Sequence, residues 1–284
     1  MFRLNKCYPV YNITKVKKIG WKNITSENSP KTSIGITKTT VIIGLILLAL
    51  GYFVGNTLPI PGNNAKYQSD HGSIPSPIGE GEQAAQKKIQ ASVNFDIPDF
   101  AKFRGSDSAK INLVEFGDYQ CPFCKRFFDQ TEPQLITEYV DTGKAKFYFL
   151  DVSILGDDSI TLGQGTWCAD EQEKFWEYHD YMYSNQGEEN SGWATPDKVK
   201  DLVRNIPGLD VEKFSECLDS KKYESRSQKL TTFSNQIGLT GTPTMFVGNS
   251  ETGYIMITGA QPYAAFQQVL DQLLAKWILI IWKN

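Results

Sequence analysis

Two cysteines set two residues apart, Cys121 and Cys124, follow directly on the apolar run "INLVEFG" (111–117) in the stretch "LVEFGDYQCPFCKRFF". Three chemistries fit such a pair: half of a zinc site, a static disulfide or a redox-active dithiol. Structural zinc needs four ligands, usually as two paired Cys/His motifs. The chain has no second C-x-x-C, and its two histidines, His71 and His179, are far apart. A static bridge between Cys121 and Cys124 closes a very small loop and gains little chain entropy. A dithiol at a helix start gains more, because unpaired N–H groups and the positive end of the helix dipole favour thiolate over thiol. Cys121 is then the attacking and leaving sulfur, and Cys124, one turn further in, resolves the mixed disulfide.

The flanking pattern supports that placement. "INLVEFG" is rich in strand formers and stops at Gly117 and Asp118. Pro122 is tolerated in the first turn of the helix that follows, and Pro133 bends or ends it. "AKFYFLDV" (145–152) reads as a second strand, which makes a βαβ unit and a partly parallel sheet. A long helical stretch follows over about 159–236, with start signals at Thr195–Pro196 and Asp210. Strands return at "TMFVG" (244–248) and "GYIMITG" (253–259), joined across Asn249–Thr252, and a last helix runs from about Pro262. The order predicts an α/β core with an all-helical insertion at about 155–238.

The N-terminal third is organised differently. Residues 1–38 carry eight Lys/Arg against one acid, and "TTVIIGLILLALGYFVG" (39–55) is an uncharged run near the lower length limit for a bilayer span. Read together they predict a basic cytoplasmic leader, one transmembrane anchor and an extracytoplasmic remainder; a cleavable signal peptide is the competing reading. Residues 56–91, rich in Pro, Gly, Ser and Asn, read as a flexible linker before a domain at 92–284. Asn12 and Asn23 lie in N-x-T sequons on the side where such sequons are silent. Beyond the leader the chain carries 21 basic and 31 acidic residues (29 − 8 and 32 − 1), an acidic body that repels nucleic acid.

With "EFGDYQCPFCKRFF" and, about 120 residues later, "GLTGTPTMFVG", the chain resembles the thioredoxin-fold DsbA-like thiol–disulfide oxidoreductases, in their membrane-anchored branch, over roughly 92–275. The resemblance implies a thioredoxin fold with helical insertion, and an enzyme acting on protein thiols. It implies a cis bond between Thr242 and Pro243, opposite the dithiol, with Thr242 offering backbone groups to an extended substrate. Glu115, six residues before Cys121, matches a buried acid that exchanges protons with Cys124. Pro122 and Phe123 fill the two positions between the cysteines that help to set the potential, and Phe123 departs from the histidine of DsbA itself. Some relatives hold a second cysteine pair in the insertion, which implies a Cys168–Cys217 bridge.

The family further implies a quinone-linked membrane partner of the DsbB or vitamin-K-epoxide-reductase type. The alternatives are the same chemistry run backwards, as a reductase or isomerase, and a metallochaperone on the same fold. Cys7 is left over on the cytoplasmic side. No G-x-S-x-G, phosphate-loop or H-E-x-x-H motif occurs, so hydrolase and nucleotide chemistries have no foothold; no cofactor and no metal are expected. His179 falls with Phe175, Tyr178 and Met182 at helical spacing and reads as packed core. The apolar C-terminus "AKWILIIWKN" (275–284) reads as the packing of a last helix or as a contact with the membrane interface.

Overall fold

A computed structural model describes residues 18–21 and 89–281, with side chains over 20–21 and 93–277, all within one compact unit. Seven strands form one mixed sheet: β1 (Lys18–Ile19), β2 (Ile89–Phe95), β3 (Phe103–Arg104), β4 (Ile111–Gly117), β5 (Ala145–Asp151), β6 (Thr244–Asn249) and β7 (Gly253–Thr258), in the order β1-β2-β7-β6-β4-β5-β3. β4 runs parallel to β5, with Leu113 opposite Phe147, and antiparallel to β6, with Leu113 opposite Val247. Six of its seven residues are buried, as expected of a strand covered on both faces.

Two short helices, α1 (Pro122–Gln130) and α2 (Glu132–Leu135), and a wide turn over Ile136–Val140 carry the chain from β4 to β5. Pro133 has no N–H to give the preceding turn, and the helix breaks at Thr131, which instead donates its hydroxyl to Gln261 O at 2.9 Å. The insertion comprises α3 (Asp157–Asp170), α4 (Phe175–Ser184), α5 (Pro196–Leu202), α6 (Val211–Asp219) and α7 (Glu224–Gln236). Asp210 caps α6 by accepting from the N–H groups of Glu212 and Lys213. Gly163 and Gly165 lie within α3, where glycine costs about 1 kcal/mol relative to alanine. A Cβ on Gly163 would overlap Asp151, and one on Gly165 the Tyr178 hydroxyl, so their absence lets α3 approach β5 and α4. Cys168 of α3 and Cys217 of α6 are bridged, with their Cα atoms 5.7 Å apart. A closing helix, α8 (Tyr263–Ile281), returns across the sheet, and Trp277 packs against the core.

The N-terminal expectations need correction where they meet the described residues. β2 starts at Ile89, inside the stretch read as linker, because Ile89–Phe95 pairs with β7. β1 lies within the stretch read as a cytoplasmic leader, yet it pairs parallel with β2, Lys18 opposite Asn94. Beside it Trp21 packs edge-on against Phe100 and Phe233, with centroids 5.2 and 5.3 Å apart. Residues 18–21 therefore lie along the edge of the sheet. Among the described residues no helix is long and apolar enough to cross a membrane. The run 39–55, Cys7, Asn12, Asn23 and His71 lie outside the described residues.

Candidate active site

The local sequence explains where the first sulfur sits. β4 ends at Gly117, and the turn Asp118–Gln120 leads to Cys121, the extended N-cap residue of α1. Pro122 occupies the first helical position, where a missing N–H costs nothing. Cys121 is 5% exposed and Cys124 is fully buried; both are free thiols, so this is the reduced form. The Cys121 thiol donates to Thr242 O at 3.4 Å. The Thr242–Pro243 bond is cis, so the two motifs the sequence places about 120 residues apart meet at this sulfur. Among the described residues Phe123 is one of two large apolar side chains left exposed, and the Arg126 guanidinium stacks on it at 5.0 Å.

The turn that presents Cys121 is held by the helical insertion. Asp118 Oδ1 accepts from Gln120 N at 2.8 Å and from the Ser159 hydroxyl at 2.7 Å. Its Oδ2 accepts from Ile154 N at 2.9 Å and Leu155 N at 3.1 Å. Gln120 donates to Leu155 O and Ser159 Oγ and accepts from Asn190 N. Gln186 donates to Tyr119 O at 2.6 Å and Cys121 O at 3.1 Å. With both carboxylate oxygens of Asp118 satisfied, the loop is fixed by partners 35–70 residues away.

The two sulfurs are driven apart electrostatically. A hydrogen bond from the Cys124 thiol, aided by Thr242 and the N–H groups of Cys124 and Phe123, outweighs burial and lowers Cys121 to about 6. Cys124 moves the opposite way, pushed up first by burial and then by the neighbouring Cys121. One sulfur is ready to leave as thiolate, and the other holds its proton.

Beneath the dithiol, Glu115 is 1% exposed on β4, and burial, then the nearby Glu132 and Cys121, raise it well above the usual carboxylate range. Glu132 is also buried and is pushed up to about 8 by desolvation, against the lowering influence of Arg104. His179 is buried among Tyr119, Phe149, Trp176 and Tyr183, and desolvation holds it below its ordinary value.

The structure thus brings together Cys121, Pro122, Phe123, Cys124, Thr242 and Pro243 in one site, with the Glu115 carboxyl close enough for its charge to act on both sulfurs. Cys168 and Cys217 form the bridge the family pattern implies, away from that site. Sequence reasoning missed Asp118, Gln120, Ser159 and Gln186, whose partners are distant in the chain, and Glu132, which reads as an ordinary helix-start acid.

A thioredoxin family model matches residues 101–272. The chain is 31% identical over 150 residues to the "Probable disulfide bond formation protein D" of Bacillus cereus, covering 51% of this chain and 69% of that one. It is 30% identical over 148 residues to the disulfide bond formation protein D of Bacillus subtilis, covering 51% and 66%. The crystal structure of oxidised BdbD from Bacillus subtilis superposes with a TM-score of 0.56 at 25% identity, over 62% of this chain and 93% of that one. The match spans the strand, the dithiol, the insertion and the cis-proline strand alike, and the chain belongs to the thioredoxin family, in its DsbA-like branch of thiol–disulfide oxidoreductases.

Proposed function

We propose that this enzyme introduces disulfides into thiol-bearing proteins outside the cytoplasm. The observation that carries the reading is the lowered Cys121 pKa beside a Cys124 that keeps its proton. In the oxidised enzyme, a substrate thiolate attacks Cys121 Sγ, the Cys121–Cys124 bond breaks, and Cys124 leaves and takes up a proton. Glu115 is a buried acid whose charge acts on Cys124. A second substrate thiolate then attacks the first substrate sulfur, and Cys121 departs as thiolate. The substrate loses two electrons and forms its disulfide, while the enzyme becomes the dithiol. A thiolate of low pKa is the better leaving group, which favours this direction. A partner of the DsbB or vitamin-K-epoxide-reductase type would collect the two electrons, and an extended substrate segment would lie along the backbone of Thr242.

The Cys168–Cys217 bridge supports an oxidising compartment. In this reading the run 39–55 attaches the protein to the membrane. A single crossing there and the β1–β2 pairing are mutually exclusive, and labelling of Cys7 distinguishes them. The test of function is the reduction potential of the Cys121–Cys124 couple in glutathione buffers, read by thiol alkylation and mass. A value toward the ~−120 mV of DsbA supports disulfide formation. A value toward the ~−270 mV of thioredoxin makes the enzyme a reductase and overturns the reading.

A further inference from the structure

Behind the dithiol, three buried side chains from three separate elements converge without satisfying one another. Glu115 comes from β4, Glu132 from α2 and His179 from α4, and each offers a ligand atom within 4.8 Å of the other two. Three atoms so spaced all lie within about 2.8 Å (4.8/√3) of a single point. A small rotamer adjustment brings that to the ~2.0–2.2 Å of zinc–carboxylate and zinc–imidazole bonds. Both oxygens of Glu115, Oε2 of Glu132 and Nε2 of His179 have no hydrogen-bond partner. A buried polar atom left so bears its full desolvation penalty, and one cation would satisfy the three side chains together.

The surroundings orient these ligands inward. His179 Nδ1 lies 2.8 Å from Asp180 Oδ1, which leaves Nε2 as the ring nitrogen without a partner. Metal-binding histidines characteristically hand their other ring nitrogen to such a carboxylate. Arg104 donates to both oxygens of Asp180 at 2.6 and 2.5 Å, and its Nη1 lies 3.6 Å from Glu132 Oε1, leaving Oε2 for the cluster. The charges also balance: Glu115, Glu132 and Asp180 as carboxylates face one guanidinium, and a divalent cation brings the group to neutrality. The Tyr183 hydroxyl, likewise without a partner, borders the same space. A Cβ built on Gly117 would stand 2.8 Å from it and 3.0 Å from Glu115 Oε1.

We infer that Glu115, Glu132 and His179 form a binding site for one divalent first-row transition cation. Two carboxylates and one imidazole without sulfur suit Zn²⁺ or Mn²⁺, and disfavour Cu⁺ and Ca²⁺. The inference departs from the sequence expectation of no metal and from His179 as mere packing: burial accounts for the ring, but not for its unpartnered Nε2. It does not depend on the direction of disulfide exchange. The ion would join the β4 strand, the α2 helix and the helical insertion at one point.

The experiment uses the full chain with the Cys121–Cys124 pair oxidised, so that those sulfurs cannot bind metal as thiolates. The protein is refolded in Zn²⁺ and passed over a weak chelator, and metal per chain is measured together with the thermal midpoint. About one zinc per chain is expected, with a raised midpoint. Glu132→Gln and His179→Gln each lose the zinc, and Asp180→Asn weakens retention by roughly 10–100-fold. Should a variant fail to refold, Co²⁺ in the unaltered oxidised chain gives visible d–d absorption with no thiolate charge-transfer band. Zinc not retained by the unaltered chain, zinc retained equally by the two variants, or a cobalt spectrum with thiolate ligation overturns the inference.

Discussion

Removing the Cys124 thiol is the most direct perturbation of the chemistry, because its hydrogen bond is the first cause of the low Cys121 pKa. A hydrogen bond to a charged group is worth about 1.5–3 kcal/mol. At about 1.36 kcal/mol per pH unit, its loss in Cys124→Ala raises Cys121 by one to two units, from about 6 to between 7 and 8. Cys124→Ser keeps a donor and moves it less. The assay is the pH dependence of iodoacetamide alkylation of Cys121 in the reduced protein. Its midpoint carries the information, and its absolute rate does not. At pH 7 a thiol of pKa about 6 is mostly thiolate, whereas an ordinary thiol near 8.5 is only about 3% ionised. That roughly 30-fold advantage is largely cancelled by a roughly 10–20-fold lower intrinsic nucleophilicity over the same interval. A Cys124→Ala midpoint that stays near 6 would falsify the assignment and leave the thiolate to Thr242 and the helix N–H groups.

Four further experiments extend this. The reduced pair binds two protons below the Cys121 pKa and one above it, so its potential falls by about 59 mV per pH unit at low pH and about 30 mV above a break near 6. Because Cys121 is lowered from its unfolded value, the extra stability of the reduced chain is complete above about pH 8.5 and fades as pH falls to 6. The gap between reduced and oxidised melting temperatures follows it, and a gap constant from pH 5 to 9 contradicts the assignment. Opening the Cys168–Cys217 loop of 49 residues with a double Cys→Ala change removes up to about 4 kcal/mol, read as a lower denaturant midpoint in urea; an unchanged midpoint removes the bridge from the account. In intact cells, a membrane-impermeant thiol reagent leaves Cys7 unlabelled if 39–55 crosses the membrane, and labels it if β1 stays paired with β2.

The fold was legible wherever the signal is local. The β4 pattern, the proline at the start of α1, the Asp210 cap and the Asn249–Thr252 hairpin are each decided within a few residues, and each is found where the periodicity places it. Glu115 and Pro243 needed the family pattern, since nothing beside them in the sequence says that they meet the dithiol. β1 escaped because two residues in a basic leader carry no strand period, and their pairing depends on an edge that β2 creates. The setting of His179 was hidden for a related reason. Its helical spacing reports burial of the ring, while the chemistry lies at one nitrogen facing acids 47 and 64 residues upstream.

The clamp on Asp118 and Gln120 gives the helical insertion a second role besides covering the core. The reactive turn is cast against Ile154, Leu155, Ser159, Gln186 and Asn190, so the position of the nucleophile is inherited from a module that contributes no atom to the exchange. Transplanting the C-P-F-C tetrapeptide into another thioredoxin scaffold would carry over the residues and leave their mould behind. Exchanging insertions between relatives would retune the sulfur while its four-residue motif stayed the same, which makes the insertion a place where selection can adjust reactivity without touching the dithiol.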